Sequence, residues 1–175
     1  DGKPFILYSH DWPDNYIEET NEYIGEIWCS ELTEDLTAMK GEAVRLFASN
    51  EVPISKATPD NTNWEGRKSK RYGSDAPFVQ KLSDGTLYLT WSPYLDDHYV
   101  VLVAISKSGS VFGPWEHLDK PLFEDDGGHA MFFNDASGRK IMCIHAPERH
   151  MLERAHLYHM AEDGNELRIL EELPL

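Results

Sequence analysis

The feature that most restricts the fold of this sequence is a repeat of two long segments. "SDAPFVQKLSDGTLYLTWS" (74–92) and "GHAMFFNDASGRKIMCIHA" (128–146) each read as a strand, a glycine-containing turn and a second strand. Their turn dipeptides, Asp84-Gly85 and Ser137-Gly138, are 53 residues apart. Each copy is followed by a third strand-like segment and by enough chain for a fourth. Antiparallel four-stranded units repeating at this spacing are typical of β-propeller blades.

The rest of the chain also favours an all-β fold, because its apolar segments are short, rich in β-branched and aromatic residues, and bounded by turn residues. One such segment, 23–32, reads as a single strand. About three four-stranded antiparallel blades are fewer than the four that usually close a propeller, so we expect a fragment of a larger protein. The predicted partial β-propeller domain (1–175) comprises an incomplete blade lacking its first strand (1–47), a long loop (48–74) and two blades (75–123 and 124–175).

The charge of the chain excludes two classes of partner. It carries 31 acidic and 16 basic side chains, for a net charge of −15. Such a surface repels the phosphates of nucleic acids and anionic membranes, so we predict neither as a partner. The basic stretch "GRKSKR" (66–71) is a local exception that we interpret as solvated surface.

Several motifs, in order, resemble glycoside hydrolase family 43. They are "DGKPFILYSHDW", "GEIWCSELTEDLT", "YGSDAPFVQKLSDGTLYLTWS", "VAISKSGSVFGPWEH" and "DGGHAMFF". The family consists of five-bladed propeller enzymes that trim arabinose and xylose from plant polysaccharides. The resemblance implies a carbohydrate substrate, an inverting acid/base mechanism and a location outside the cell or in the periplasm.

The resemblance also implies catalytic residues. Family members place three carboxyl groups around a funnel on the propeller axis, and two of them, including the base, would lie before Asp1. The third, the general acid, is usually a glutamate that opens the first strand of the third blade, and Asp75 in "SDAPF" matches it. Asp11 in "YSHDW" is a second candidate for the acid. A structural alternative for Asp75 is a cap on the turn before Pro77.

Four further residues are predicted to line or support the sugar pocket. In the family, a histidine on the last blade helps to hold an axial metal ion or ordered waters, and His129 in "DGGHAMFF" matches it. Calcium there would be weakly held, because calcium prefers oxygen ligands. His10, Trp12 and His145 are predicted substrate contacts. Structural roles remain open for His129, and blade packing remains open for Trp12.

Two other functions are alternatives to a glycosidase. A non-catalytic carbohydrate-binding propeller would explain an altered acid position. A protein-interaction propeller of the WD-repeat kind would show Trp-Asp dipeptides, and the sequence has none. Exposed edges of an open arc predict either association with a missing N-terminal part or self-association.

Overall fold

The structure of the chain is a computed structural model that describes residues 2–11, 15–62, 66 and 68–174. A 3₁₀ turn spans Ser49–Glu51. In chain order the strands are β1 (Phe5–His10), β2 (Tyr16–Ile17), β3 (Glu22–Ile24), β4 (Glu26–Leu32), β5 (Met39–Ala48), β6 (Thr58–Thr62), β7 (Lys68–Tyr72), β8 (Phe78–Lys81), β9 (Leu87–Trp91), β10 (Tyr94–Leu95), β11 (His98–Tyr99), β12 (Leu102–Ser106), β13 (Glu116–His117), β14 (Gly128–Asn134), β15 (Lys140–Ala146), β16 (Arg154–Asp163) and β17 (Glu166–Leu173).

Three antiparallel sheets follow one another along the chain. Blade A contains β1, β4 and β5, with β1 at its edge. Blade B has the order β8-β9-β12-β13, and blade C has the order β14-β15-β16-β17. The prediction of an all-β chain built from four-stranded antiparallel units is confirmed. Two additional pieces are a β10-β11 hairpin and a side sheet of order β2-β3-β7-β6.

The core lies between neighbouring blades. One apolar cluster joins Ile27 and Phe47 of blade A to Trp91 of blade B, and the rings of Phe47 and Trp91 are 5.3 Å apart. A second cluster joins blade B to blade C, where the rings of Phe78 and Phe132 are 5.7 Å apart. All five residues of β12 are buried, because blade B is covered on both faces. This double burial explains why "YVVLVAIS" reads as a continuous apolar run.

The prediction of a long loop over residues 48–74 needs correction. The stretch contains the 3₁₀ turn and two strands, β6 and β7, and β7 pairs in parallel with β3. That pairing links residues far apart in sequence, so local pattern does not reveal it. The segment 23–32 is likewise two strands, because the chain leaves the side sheet and enters blade A at Gly25. A Cβ at Gly25 would lie 2.5 Å from the Ser74 hydroxyl oxygen, so only glycine fits this crossing.

No helix among the described residues is both long and apolar enough to cross a membrane. The two cysteines are free. Cys29 is fully buried, and burial raises the pKa of its thiol to about 11. Cys143 is partly exposed.

His117, on the outer strand of blade B, predicts a pH dependence of stability. Its ring packs edge-on against Phe47, with the centroids 4.5 Å apart, and burial lowers the pKa of His117 from 6.5 to about 4. Between those values the unfolded chain binds a proton that the folded chain does not, so stability falls as the pH drops. We expect this residue to reduce the free energy of unfolding by about 1–2 kcal/mol between pH 7 and pH 5.

The measurement is urea unfolding at both pH values, for the wild type and for His117→Phe. The variant should lose that part of the pH dependence. It should also unfold no more easily than the wild type at pH 7, because Nδ1 of His117 is a buried atom that lacks a hydrogen-bond partner among the described residues. Equal pH slopes in the two proteins would contradict this account.

Candidate active site

A cavity of about 240 Å³ lies where β9 and β15 end and where the segment leading into β8 begins. In an antiparallel blade the second strand runs opposite to the first, so the end of the second strand lies beside the start of the first. In blades B and C these strand ends lie at the same edge and next to each other. The cavity is polar and contains both acidic and basic groups. Its lining comprises Arg71, Gly73, Ser74, Asp75, Ser92, Tyr94, Tyr99, His145 and Glu148. We call this cavity the cleft.

Asp75 presents a half-exposed carboxylate to the cleft, with 51 % of its side chain accessible. Oδ2 accepts a hydrogen bond from the Tyr99 hydroxyl at 3.1 Å, and Oδ1 accepts one from the Ala76 amide at 2.9 Å. The second contact is the turn cap that the sequence left open as an alternative. Both oxygens of Asp75 therefore accept a hydrogen bond from the protein, which fixes the orientation of the carboxylate.

His129 lies beside Asp75, with its Nδ1 3.6 Å from Asp75 Oδ2. A register shift between Gly128 and Met131 interrupts the β14-β15 ladder here, and His129 has a φ of 59°. Bulges of this kind re-aim a side chain, and a non-glycine residue with positive φ carries backbone strain that clusters at functional sites. The His129 amide donates to the Ser92 hydroxyl at 2.9 Å, which fixes this bend.

His145 joins the two blades. Its ring stacks on Tyr99, with centroids 5.5 Å apart and planes 18° from parallel, and it lies 5.9 Å from the ring of His129. Nε2 of His145 is in close contact with Oε2 of Glu148. The predicted residues Asp75, His129 and His145 are therefore brought together.

Two tyrosines donate to the two carboxylates of the cleft. Tyr99 donates to Asp75, and Tyr94 donates to Oε1 of Glu148 at 3.0 Å. Burial, reinforced by the neighbouring carboxylate in each case, raises the pKa of both hydroxyls above the ordinary value of 10. Both tyrosines therefore remain neutral donors at neutral pH.

Asp11 supports the cleft from behind. Its side chain is only 8 % exposed, and its Oδ2 accepts a hydrogen bond from the Ser74 amide at 2.9 Å. The guanidinium of Arg71 lies 4.0 Å from the same oxygen. This arrangement fixes the backbone immediately before Asp75.

His10 and Trp12 are the remaining predicted contacts. His10 lies next to Glu26, with Nδ1 3.4 Å from Oε2, and its ring meets Trp28 edge-on at 6.1 Å. Trp12 lies outside the described residues. His10 thus contacts blade A side chains at the end of β1.

The metal-site role of His129 stays a prediction. Within the described ranges, no group of three or more histidine, cysteine or acidic side chains is arranged to hold a metal ion. Asp75 is the carboxylate that His129 approaches.

Sequence reasoning missed Glu148, Arg71, Tyr94 and Tyr99. Glu148 could have been predicted from its position three residues after His145. A residue that follows the end of a strand so closely stays near that end, and this strand ends at the cleft. Arg71 arrives from the side sheet, which the sequence did not reveal. The tyrosines lie in the β10-β11 hairpin, where they read as ordinary turn-flanking aromatics.

The chain superposes on several solved structures of glycoside hydrolases. An endo-arabinase from Bacteroides thetaiotaomicron VPI-5482 superposes with a TM-score of 0.78 and is 31% identical over 94% of this chain and 54% of that enzyme. A thermostable family-43 glycoside hydrolase gives a TM-score of 0.71 at 19% identity, covering 95% of this chain and 53% of that enzyme. An endo-1,4-beta-xylanase from Bacteroides thetaiotaomicron gives a TM-score of 0.63 at 19% identity, covering 97% of this chain and 54% of that enzyme.

The chain therefore spans about half the length of the solved structures it matches. The two matches at 19% identity bear on the fold alone, whereas the endo-arabinase also shares sequence. No protein-family profile matches the chain, and no curated protein sequence does.

Proposed function

Because this chain belongs by fold and sequence to glycoside hydrolase family 43, we propose that it forms part of the substrate cleft of an enzyme that hydrolyses arabinose- or xylose-containing glycans with inversion. The observation that carries the proposal is the cleft itself. Asp75 and Glu148 place two carboxylates, with His145 and two tyrosine donors, at the meeting edge of two blades. Hydroxyl-rich ligands are recognised by such groups.

Inverting hydrolysis needs a second carboxyl group as a base, roughly 6.5–9.5 Å from the acid, to activate a water. We assign the base to residues outside these 175, in keeping with a chain that spans 54% of the endo-arabinase. Further blades of the full-length protein that contains this chain would also cover the apolar face of β14, on which Met131 and Phe133 are 49% and 42% exposed. A polymeric glycan substrate is consistent with a location outside the cell or in the periplasm.

Within the cleft we propose that Asp75 acts as a hydrogen-bond acceptor that orients the reacting sugar. Two observations favour this role over that of the proton donor. Both hydrogen-bond partners of Asp75 are donors, so each carboxylate oxygen already serves as an acceptor. In addition, the family has its acid on the third of five blades and its axial histidine on the last. Asp75 and His129 lie on consecutive blades, so they cannot hold both positions.

The partly buried Asp11 is assigned a supporting role, because its carboxylate is already used by the Ser74 amide. His129 is assigned to the support of Asp75, and it would contribute one ligand to any axial calcium, with waters supplying the rest.

The test is hydrolysis of nitrophenyl arabinofuranoside and xyloside, and of arabinan and xylan oligosaccharides, by the full-length protein that contains this chain. We expect turnover of at least one substrate with inverted product configuration. The alternative is a carbohydrate-binding propeller without catalysis. Calorimetric binding of the oligosaccharides without turnover on any substrate would establish that alternative and overturn the enzymatic proposal.

A further inference from the structure

Glu148 is the second carboxylate of the cleft, and the family resemblance assigns it no role. It follows the end of β15 by two residues, and its backbone is fixed by a hydrogen bond from its amide to the Asp126 carbonyl at 2.9 Å. Its side chain is 28 % exposed. The carboxylate is therefore partly withdrawn from solvent but open to the cleft.

Two elements hold the Glu148 side chain in one orientation. Tyr94, from the β10-β11 hairpin, donates to Oε1 at 3.0 Å, and His145, at the end of β15, contacts Oε2. Each oxygen of an ionised carboxylate offers two lone pairs, so each oxygen keeps one acceptor position for a ligand. Paired acceptors at fixed spacing suit two neighbouring hydroxyl donors.

Glu148 is also linked to Asp75. His145 contacts Glu148 on one side and stacks on Tyr99, and the Tyr99 hydroxyl donates to Asp75. The two carboxylates thus belong to one connected set of side chains around the same cavity. A sugar ring bound against Asp75 has Glu148 within the same 240 Å³ space.

The charge of the cleft indicates which sugars it accepts. Among the described residues that line the cleft, Arg71 is the Arg or Lys side chain, and the Asp11 carboxylate lies 4.0 Å from it. Asp75 and Glu148 then leave the cavity with negative charge. A neutral pentose donates hydroxyl hydrogens to such acceptors, whereas the carboxylate of a uronic acid is repelled.

We propose that Glu148 is a specificity-determining residue that accepts hydrogen bonds from neighbouring hydroxyls of a neutral sugar and rejects uronic acids. This inference rests on the proposed function, because it assumes a glycan in the cleft. The role is in binding, so it predicts an effect on KM rather than on kcat.

The experiment compares Glu148→Gln with wild type in the full-length protein, using the nitrophenyl glycosides and two xylo-oligosaccharides, one neutral and one carrying glucuronic acid. Loss of hydrogen bonds to a charged acceptor should raise KM for neutral substrates roughly 10- to 100-fold, with kcat changed less than about threefold. The preference for the neutral oligosaccharide in calorimetric binding should shrink in parallel.

Three further variants sharpen the test. Glu148→Asp keeps the charge, so it should retain the discrimination against glucuronic acid while raising KM. Tyr94→Phe removes one donor from Glu148 and should raise KM less than Glu148→Gln does. Glu124→Gln, at an exposed position preceding β14, is the matched control and should leave both parameters unchanged.

The outcomes separate this inference from the function on which it rests. An active wild type whose KM and discrimination are unaffected by Glu148→Gln would overturn the role of Glu148 and leave the proposed function standing. A fall in kcat at constant KM would also overturn it, in favour of a part in the chemistry. A full-length protein that neither hydrolyses nor binds any of the glycans would overturn both. A lower melting temperature with unchanged KM would reduce Glu148 to a structural residue.

Discussion

Asp75→Asn in the full-length protein is expected to lower kcat/KM by about 10²-fold on nitrophenyl glycosides and on oligosaccharides alike, because a charged acceptor that orients the reacting sugar is lost. Asparagine has nearly the same shape and can still accept from Tyr99, so the fold should persist. Steady-state kinetics on substrates with good and poor leaving groups is the measurement. Similar losses on both classes support an orienting role.

The contrast between leaving groups is what makes this result informative. A proton donor matters most when the leaving group is poor, so a donor role would produce a large loss on oligosaccharides and a small loss on activated nitrophenyl glycosides. That pattern would restore the acid role that the family resemblance implies. The matched control is Asp97→Asn, the same change at an exposed position in the turn of the β10-β11 hairpin, whose φ of 71° asparagine adopts readily. It should leave kcat/KM unchanged.

Gly128→Ala is expected to impair both stability and activity, because the added methyl group has no space. A Cβ at this position would lie 2.5 Å from Cε1 of Tyr99 and 2.9 Å from the Ser92 hydroxyl oxygen. Tyr99 is 3% exposed and stacked on His145, so it cannot turn aside without moving the cleft. We expect the free energy of unfolding to fall by about 1–3 kcal/mol. Displacing Tyr99 should also lower kcat/KM by at least about tenfold.

Gly73→Ala is the matched control for this steric effect. Gly73 lines the same cleft, but its nearest heavy atoms would lie 3.7 Å or more from an added Cβ, which is ordinary contact. Urea unfolding and steady-state kinetics of the two variants should therefore diverge. Equal unfolding free energies and equal kcat/KM for Gly73→Ala and Gly128→Ala would show that Tyr99 is not rigidly held. The link from Asp75 through Tyr99 and His145 would then be contradicted.

The parts of the fold that follow from local pattern were predictable from the sequence. Blades B and C are hairpins with glycine turns, and period-two alternation places Leu102 towards blade A and Val103 towards blade C. Asp75 and His129 were predicted from the family resemblance and His145 from its place at the end of a strand, and all three lie together because strand ends of consecutive blades share one edge. The side sheet was not predictable, since its β3-β7 pairing joins residues far apart in the chain.

The chemistry inside the cleft was only partly predictable for a similar reason. The contact between His145 and Glu148 spans three residues, but Tyr94 reaches Glu148 across 54 positions. Arg71 faces the cleft only because β7 exists. The acid role of Asp75 came from matching a short motif, and a motif does not report which hydrogen-bond partners surround a carboxyl group.

The side sheet has a consequence for how such a protein can diversify. It is assembled from two segments that leave the blades, one between β1 and β4 and one between blades A and B. A hydrogen bond of 2.7 Å from the Gly25 amide to the Tyr72 carbonyl joins the two segments. Both segments leave and re-enter the blades at the edge that bears the cleft. Mutations, insertions and deletions in them can therefore reshape one wall of the binding site, including the residue that supplies its cation, while the inter-blade core stays unchanged. The shape of the cleft and the stability of the fold can then change independently.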